Sequence, residues 1–440
     1  MKTWKAVLAA VFALSLPVFL SFTLTKEAKH KHYRTTYRSI PKGCVFSTLM
    51  GEEFSADPEA EMLAPENVVS SIHQGLAWIM KAQNRNGGWG AGSHNRQDVM
   101  DPHAVPADPA TTAMVAMAIL RSNSTLTTGE NARALYNALQ YLLNVVEKSP
   151  AQNLNIGDQT GTQIQVKLGG NIDVVLASQF FSNLLDGHLD HDSQLKARVK
   201  KANDICVGKI QKAQEDNGSF ASSGWAGVLQ SSFATNALEA AQANGTKVDD
   251  RVLSKAREFQ KNNYNSKTGD VKTELGAGVM LYSVTGSARA SAKEARKVEE
   301  AIQNAIEHGR LAPNAAPSAQ NLEKIGFGKD EAIKYSTAYE VYQSAKVKAQ
   351  NEDVMDGFGS NGGEEFMSYL QTGESMIIGK DNAWKKWYDN MGARLLNIQN
   401  DDGSWSGHHC ITSPVFCTAS CLLILSVNND VERLEKQGAN

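Results

Sequence analysis

Apolar residues recur with the spacing of one helix face from about Glu66 to Asn428, and the alternation typical of strands is rare. Alanine, leucine, lysine, glutamate and glutamine are abundant in this segment, and most of them are good helix formers. Several of the prolines stand in predicted loops or at helix starts, where they do not interrupt a helix. The pattern predicts an all-α fold.

Three segments share one turn, which consists of glutamine, three residues, glycine, one residue and then an aromatic residue. They are Gln83–Trp89, Gln214–Phe220 and Gln399–Trp405. In each, a helical pattern precedes the turn and a more apolar helical pattern follows it. We expect the glycine to take the left-handed conformation that ends a helix, and the aromatic ring to fold back over that helix. The glutamine can bond the free groups at the helix end.

The repeated unit is therefore a helical hairpin, and the chain holds about six of them. They lie near 66–122, 130–187, 195–244, 249–285, 329–379 and 381–428, with an extra helical segment at 291–309. The second helices are the more apolar, so we expect them to form the inner ring of an α/α toroid, a double ring of helices. A linear solenoid is the alternative, but a solenoid needs polar caps and both terminal hairpins are apolar. The domain is predicted at 61–430, followed by a tail at 431–440.

The N-terminal segment is predicted to lie outside this domain. Lys2 and Lys5 precede an uncharged run from Ala6 to Thr25, so residues 1–25 indicate an export signal or a membrane anchor, and residues 26–60 a linker. We expect a protein that is periplasmic, secreted or anchored to a membrane by residues 6–25, and we expect membrane association. A net charge of −3 gives no reason to expect nucleic acid as a partner.

The three turns resemble the glutamine–tryptophan motif of the terpenoid-cyclase and protein-prenyltransferase repeat superfamily, over roughly 66–428. The resemblance implies concentric helices around a cavity that holds an isoprenoid or another lipid. Family cyclases protonate an alkene with an Asp-x-Asp-Asp motif; the comparable stretch here is 107–113, in which Asp108 is the one acidic residue. Prenyltransferases hold zinc with Asp, Cys and His, and no Asp-x-Cys pair starts an inner helix here. Whether the protein is an enzyme stays open.

The candidate catalytic residues are carboxylic acids and a tyrosine at predicted inner helix starts. They are Glu364, Glu365, Tyr369 and Asp108. Glu365 and Tyr369 are one turn apart, and a carboxylate there could serve as an acid or a base. Free N–H groups at a helix start also favour carboxylates, so helix capping explains the same residues. The Gly-x-Gly-x-x-Gly at 357–362 follows a helix rather than a strand, so it does not indicate a nucleotide site.

The candidate ligand-binding residues are polar side chains in the connections that lead into inner helices. They are His94, His103, Lys167, Asp173, His408 and His409. Such loops surround the mouth of a ring and are a usual place for ligand contacts. Cys417 and Cys421 share a helix face near His409, but we interpret them as packing residues and predict no metal and no cofactor.

The leading hypothesis is that the central cavity binds a hydrophobic small molecule or a lipid. Two other classes stay open. The ring could be a non-catalytic module that presents a surface to a protein, or a polysaccharide lyase or hydrolase. A deep apolar lining would favour the lipid, a filled ring the interaction module, and an open cleft with carboxylates and exposed aromatic rings the glycan.

Overall fold

The computed structural model describes residues 64–220, 224–359 and 361–439. The predictions for residues 1–25 and 26–60 lie outside this part of the chain. In chain order the helices are α1 (Glu66–Lys81), α2 (Pro109–Arg121), α3 (Ala132–Lys148), α4 (Gln163–Lys167), α5 (Ile172–Leu185), α6 (Ser193–Lys212), α7 (Gly227–Ala243), α8 (Asp250–Lys261), α9 (Met280–Glu307), α10 (Ala319–Lys324), α11 (Lys329–Lys348), α12 (Glu352–Met355), α13 (Gly363–Ile378), α14 (Ala383–Asn397), α15 (Pro414–Leu425) and α16 (Val431–Ala439). Short 3₁₀ turns accompany them, and the described residues contain no strand, so the predicted all-α class is confirmed.

The second helices of the hairpins are the most deeply buried elements. Nearly every residue of α2, α5, α7, α13 and α15 is buried, as is the first half of α9. These six inner helices contact one another in the order α2, α5, α7, α9, α13, α15, and α15 contacts α2 again. The first helices, α1, α3, α6, α8, α11 and α14, pack against the inner helices and bury one face each. The contacts among the inner helices therefore form a closed cycle.

The glutamine of each turn bonds two carbonyl groups. The Gln83 side-chain amide donates to the carbonyl of Gly87 in its own turn (2.8 Å) and to that of Ala134 in the first turn of α3 (3.0 Å). Gln214 also donates to the glycine of its turn, and its second bond reaches the Val252 carbonyl at the start of α8 (2.8 Å). Each glutamine thus ties its own turn to the first helix of the next hairpin.

Gln399 makes the same pair of bonds, but the next hairpin is the first one in the chain. Its amide donates to the carbonyls of Gly403 (2.8 Å) and Ser71 (3.1 Å), and the Ser71 hydroxyl donates to its oxygen (2.7 Å). Gly403 has φ +90°, and a Cβ there would lie 2.8 Å from the Gln74 carbonyl oxygen. Glycine is therefore required both for the turn and for the approach to α1.

The aromatic residue of the turn folds back as expected. The indole N–H of Trp89 donates to the Ile79 carbonyl near the end of α1 (2.8 Å), and that of Trp405 donates to the Leu395 carbonyl near the end of α14 (2.9 Å). Both rings are fully buried. Each indole adds a second bond to a carbonyl in the last turn of the helix, which otherwise accepts only from the N–H of Ala82 or Ile398 at the helix end.

The six inner helices and α16 enclose a small chamber. Its apolar lining is Met114, Met117, Leu176, Phe233, Leu370, Leu423 and, from α16, Leu434. Its free volume is about 30 Å³, which is room for about one or two water molecules. The centre of the domain is therefore filled by side chains and has no room for an isoprenoid in this structure.

Two boundaries differ from the prediction. The extra helical segment at 291–309 continues α9, which runs for 28 residues. Residues 431–439, predicted as a tail, form α16, which contacts α13 and buries Leu434. The sequence of α16 is strongly charged, and a helix that buries only one face needs few apolar residues, so its packing could not be predicted from the sequence. Among the described residues, no single helix is long and apolar enough to cross a membrane.

We expect Gln399→Ala to lower the free energy of unfolding by about 1–3 kcal/mol, because it leaves partly buried groups of Gly403 and Ser71 without their partner. Urea unfolding followed by circular dichroism measures the change. Gln303→Ala is the control, since its amide bonds an exposed Glu307 on one helix, and it should change stability by less than about 0.5 kcal/mol. Equal stabilities of the two variants would contradict the role given to Gln399.

Candidate functional site

Five of the six connections that lead into the inner helices, all except that of α9, meet at one end of the domain. We call the following residues the rim: 92–108, 155–171, 224–226, 356–359, 361–362 and 406–413. A β-bridge joins Ser93 to Thr162, and the Thr412 N–H donates to the Gln163 side-chain oxygen (2.8 Å). The bond between Thr412 and Gln163 links the connection of the sixth hairpin to that of the second. These two hairpins are not neighbours, because the first hairpin lies between them. The connections therefore reach across the end of the domain.

Glu364 lies in the first turn of α13, as the sequence predicts, and its side chain faces the rim. The residue is 2% exposed. The Ile411 N–H donates to its carboxylate (3.3 Å). Burial, and then the neighbouring Glu365, raise the pKa of the Glu364 carboxyl to about 8. The carboxyl group is thus protonated more readily than an ordinary glutamate.

Glu365 and Tyr369, predicted beside Glu364, bond groups of the protein. The Glu365 carboxylate accepts from the Gly362 N–H (2.9 Å), which caps α13, and from the Tyr282 hydroxyl of α9 (2.5 Å). The Tyr369 hydroxyl donates to the Met355 carbonyl (2.7 Å). Both side chains are buried, and these bonds hold the start of α13 in place. They give Glu364 a fixed position at the rim.

Glu364, His409 and Cys410 form a group of three potential metal ligands. A carboxylate oxygen, an imidazole nitrogen and the thiol sulfur all lie within 4.8 Å of one another. His409 and Cys410 are partly exposed, and Cys410 has φ +58°, a strained conformation for a residue with a side chain. It is the one group of its kind in the part of the chain that the structure describes. Cys417 and Cys421 are fully buried in α15 and pack there, as the sequence analysis interpreted them.

An aromatic row runs across the rim towards this group. The Lys167 ammonium lies 4.0 Å from the ring centre of Trp225, whose ring is 6.5 Å from that of Phe358. The Phe358 ring meets the His409 ring edge to face at 5.5 Å. Trp225 is 56% exposed and Phe358 is 44% exposed. Neither ring was predicted as a site residue; the available signal in the sequence was a large aromatic residue in each of two glycine-containing connections.

The predicted histidines take different positions. The His94 ring bonds the side-chain amide of Gln97 (2.7 Å), and burial, followed by the nearby charge of Lys167, lowers its pKa. His103 and His408 lie in the connections of the rim. The His103 backbone N–H donates to the Asp101 side chain (2.9 Å), and the His408 backbone N–H donates to the Asn361 carbonyl (2.8 Å).

Asp108 and Asp173 are fully buried at the starts of α2 and α5. Asp108 is the predicted N-cap: its carboxylate accepts from the N–H groups of Thr111 (2.8 Å) and Ala91 (2.8 Å). The Asp173 carboxylate accepts from the side-chain amide of Gln165 (2.7 Å). Burial, and then the charge of Asp108, raise the pKa of Asp173 to about 7. These carboxyls connect the rim to the inner helices and are out of reach of a ligand at the surface.

Comparisons with family models, with curated proteins and with solved structures found no match for this chain. The resemblance to the terpenoid-cyclase and prenyltransferase superfamily therefore stays a prediction.

We expect Asp173 to make stability fall as pH rises. The pKa of this carboxyl is 3.8 in the unfolded chain and about 7 in the folded protein. Between these two pH values only the folded state keeps the proton. The contribution is fully present below pH 3.8 and is lost as pH rises through about 7, with a slope of at most about 1.4 kcal/mol per pH unit. Urea unfolding of Asp173→Asn at about pH 4.5 to 7.5 should lack this slope.

The exposed Asp190 supplies the control, because its pKa is lowered by Lys196 and it is already ionised throughout this range. Stability curves of Asp190→Asn and the wild type should run parallel. If the stability curve of Asp173→Asn also runs parallel to that of the wild type, the Asp173 carboxyl does not hold the proton, which contradicts the prediction.

Proposed function

We propose that the domain is an α/α toroid whose rim holds a metal ion and, beside it, a hydrophobic ligand. The closed cycle of contacts among the inner helices supports the toroid. The bonds between Gln399 and Ser71 support it further, because they join the last hairpin to the first. A linear solenoid would leave these two hairpins apart.

The observation that carries the proposal is the group of Glu364, His409 and Cys410. One carboxylate, one imidazole and one thiolate suit zinc, which accepts oxygen, nitrogen and sulfur ligands. Bound zinc would displace the protons of the Glu364 carboxyl and the Cys410 thiol, since burial raises the pKa of both groups. Three protein ligands leave a fourth position open, as in zinc sites that contact a ligand directly. Bound zinc would polarise an oxygen or sulfur atom of that ligand. This proposal departs from the sequence prediction of no metal.

The residues around the group have roles of their own. Glu365, bonded to Gly362 and Tyr282, fixes the first turn of α13 and with it Glu364. The Lys167 ammonium lies over the Trp225 ring and carries a positive charge to the rim. It can pair with an anionic or polar end of a ligand.

The ligand class follows from the exposed rings. Trp225 and Phe358 expose apolar faces next to His409, and burying such faces against an apolar chain is favourable. The chamber at the centre is too small for a lipid, so the proposed ligand lies on the rim rather than within the ring. The exposed rings of Trp225 and Phe358 near the Glu364 carboxyl also favour a glycan. The mass-spectrometry experiment below distinguishes a glycan from a lipid.

We expect the purified full-length protein to bind about one zinc per chain, and Glu364→Gln, His409→Ala and Cys410→Ser each to weaken zinc binding at least about tenfold. Competition with a chromophoric chelator and elemental mass spectrometry measure this. His408→Ala is the matched control, because this neighbour lies outside the group and should bind zinc as the wild type does. Unchanged zinc binding in all three variants would overturn the proposed site.

We expect native mass spectrometry of the protein, followed by lipid extraction, to detect a bound lipid. Trp225→Ala and Phe358→Ala should each weaken its retention by about tenfold or more, because a buried apolar side chain contributes about 1.5–3 kcal/mol. Tyr136→Ala removes an exposed ring on α3 and should have no effect. A bound oligosaccharide would favour the glycan hypothesis. If both variants retain the lipid as well as the wild type does, the ligand binds elsewhere.

A further inference from the structure

The chamber at the centre of the domain carries charge as well as apolar side chains. Guanidinium groups of Arg121 (α2), Arg289 (α9) and Arg433 (α16) line it, together with the carboxylate of Glu374 (α13). The Arg289 side chain is 3% exposed, and that of Arg121 is 5% exposed. Charges so far from water must be paired, because an unpaired buried charge is strongly unfavourable.

Two of these arginines are balanced. Arg121 pairs with Glu374 (2.6 Å) and with Asp430 (2.8 Å), and Arg433 pairs with the same Asp430 (2.5 Å). This part of the wall thus holds two positive and two negative charges.

The third arginine is not balanced. Glu239 is its partner (2.9 Å), but Glu239 also pairs with Arg257 (2.7 Å), so two guanidinium groups share one carboxylate. Burial lowers the pKa of the half-buried Lys293, and the nearby carboxylates of Glu239 and Glu294 raise it, so Lys293 adds to the positive side. Glu294 supplies no spare negative charge, because Lys261 (2.6 Å) and Lys334 (3.7 Å) both pair with it. The Arg289 Nε–H is buried and has no hydrogen-bond partner. The groups around Arg289 therefore carry more positive than negative charge, and Arg289, which lines the chamber, has an unused donor.

We propose that the chamber binds one small monovalent anion, of the size of a halide ion, beside Arg289. The free volume of about 30 Å³ admits an ion of that size and excludes phosphate-sized or larger anions. The amide side chains of Gln179 and Asn236 also line the chamber and can donate to the ion. The bound ion completes the charge balance between α9 and the other inner helices. This site is at the chamber and is independent of the proposed metal site at the rim.

Thermal unfolding of the full-length protein at constant ionic strength tests the site, with sodium chloride replaced stepwise by sodium gluconate. General screening acts equally in both salts, and gluconate is too large for the chamber. We expect the unfolding temperature to rise with the logarithm of the chloride concentration, as for a ligand that binds the folded state only. Bromide should act as chloride does.

Arg289→Met removes the excess charge and the unused donor, and we expect it to abolish the chloride dependence. Arg198→Met is the matched control: Arg198 pairs with Glu147 on the surface, and its loss should leave the dependence intact. A crystal grown in bromide should show an anomalous peak beside Arg289, which tests the wild type even if the variant fails to fold. Equal unfolding temperatures in chloride and gluconate, or no peak in the chamber, would overturn the proposal.

Discussion

The bond from each turn glutamine to the next hairpin is the constraint on which the rest of the structure depends. A glutamine at the end of one first helix donates to a carbonyl at the start of the next, and glycine lets the two backbones approach. Gln399 makes this bond to Ser71, so the last hairpin is held against the first. The three bonds join the first hairpin to the second, the third to the fourth and the sixth to the first, all in the same sense. The inner helices of these hairpins therefore begin at the same end of the domain.

The two ends of the inner helices therefore have different chemistry. Their N-terminal ends carry free N–H groups, and the carboxylates of Asp108, Asp173 and Glu365 satisfy several of them. Glu364 takes part in the rim instead, where it meets His409 and Cys410. The other end is closed by α16, whose Arg433 forms a partly buried ion pair with Asp430. A ligand larger than a small ion finds room at the first end and not along the axis.

A filled axis and an exposed rim also explain why so many polar side chains lie inside the domain. Inner helices pack closely through small and polar residues, and their hydroxyl groups donate to carbonyls within the same helix, as Thr372 does to Ser368. The remaining buried charges must find partners across the chamber. Where protein partners are too few, as at Arg289, an ion from solvent can supply the missing charge.

The sequence by itself determined the helices, the turns and the caps, because propensity, the glycine turns and capping depend on residues close in the chain. It predicted the roles of Gly403, Trp405 and Asp108 for that reason. Only the tertiary structure decided which distant residues meet: Glu364 with His409 and Cys410, Trp225 with Phe358, and α16 with α13. It also decided that the centre is filled. These outcomes depend on how side chains from non-adjacent hairpins share space once the cycle closes, and no local pattern records that geometry.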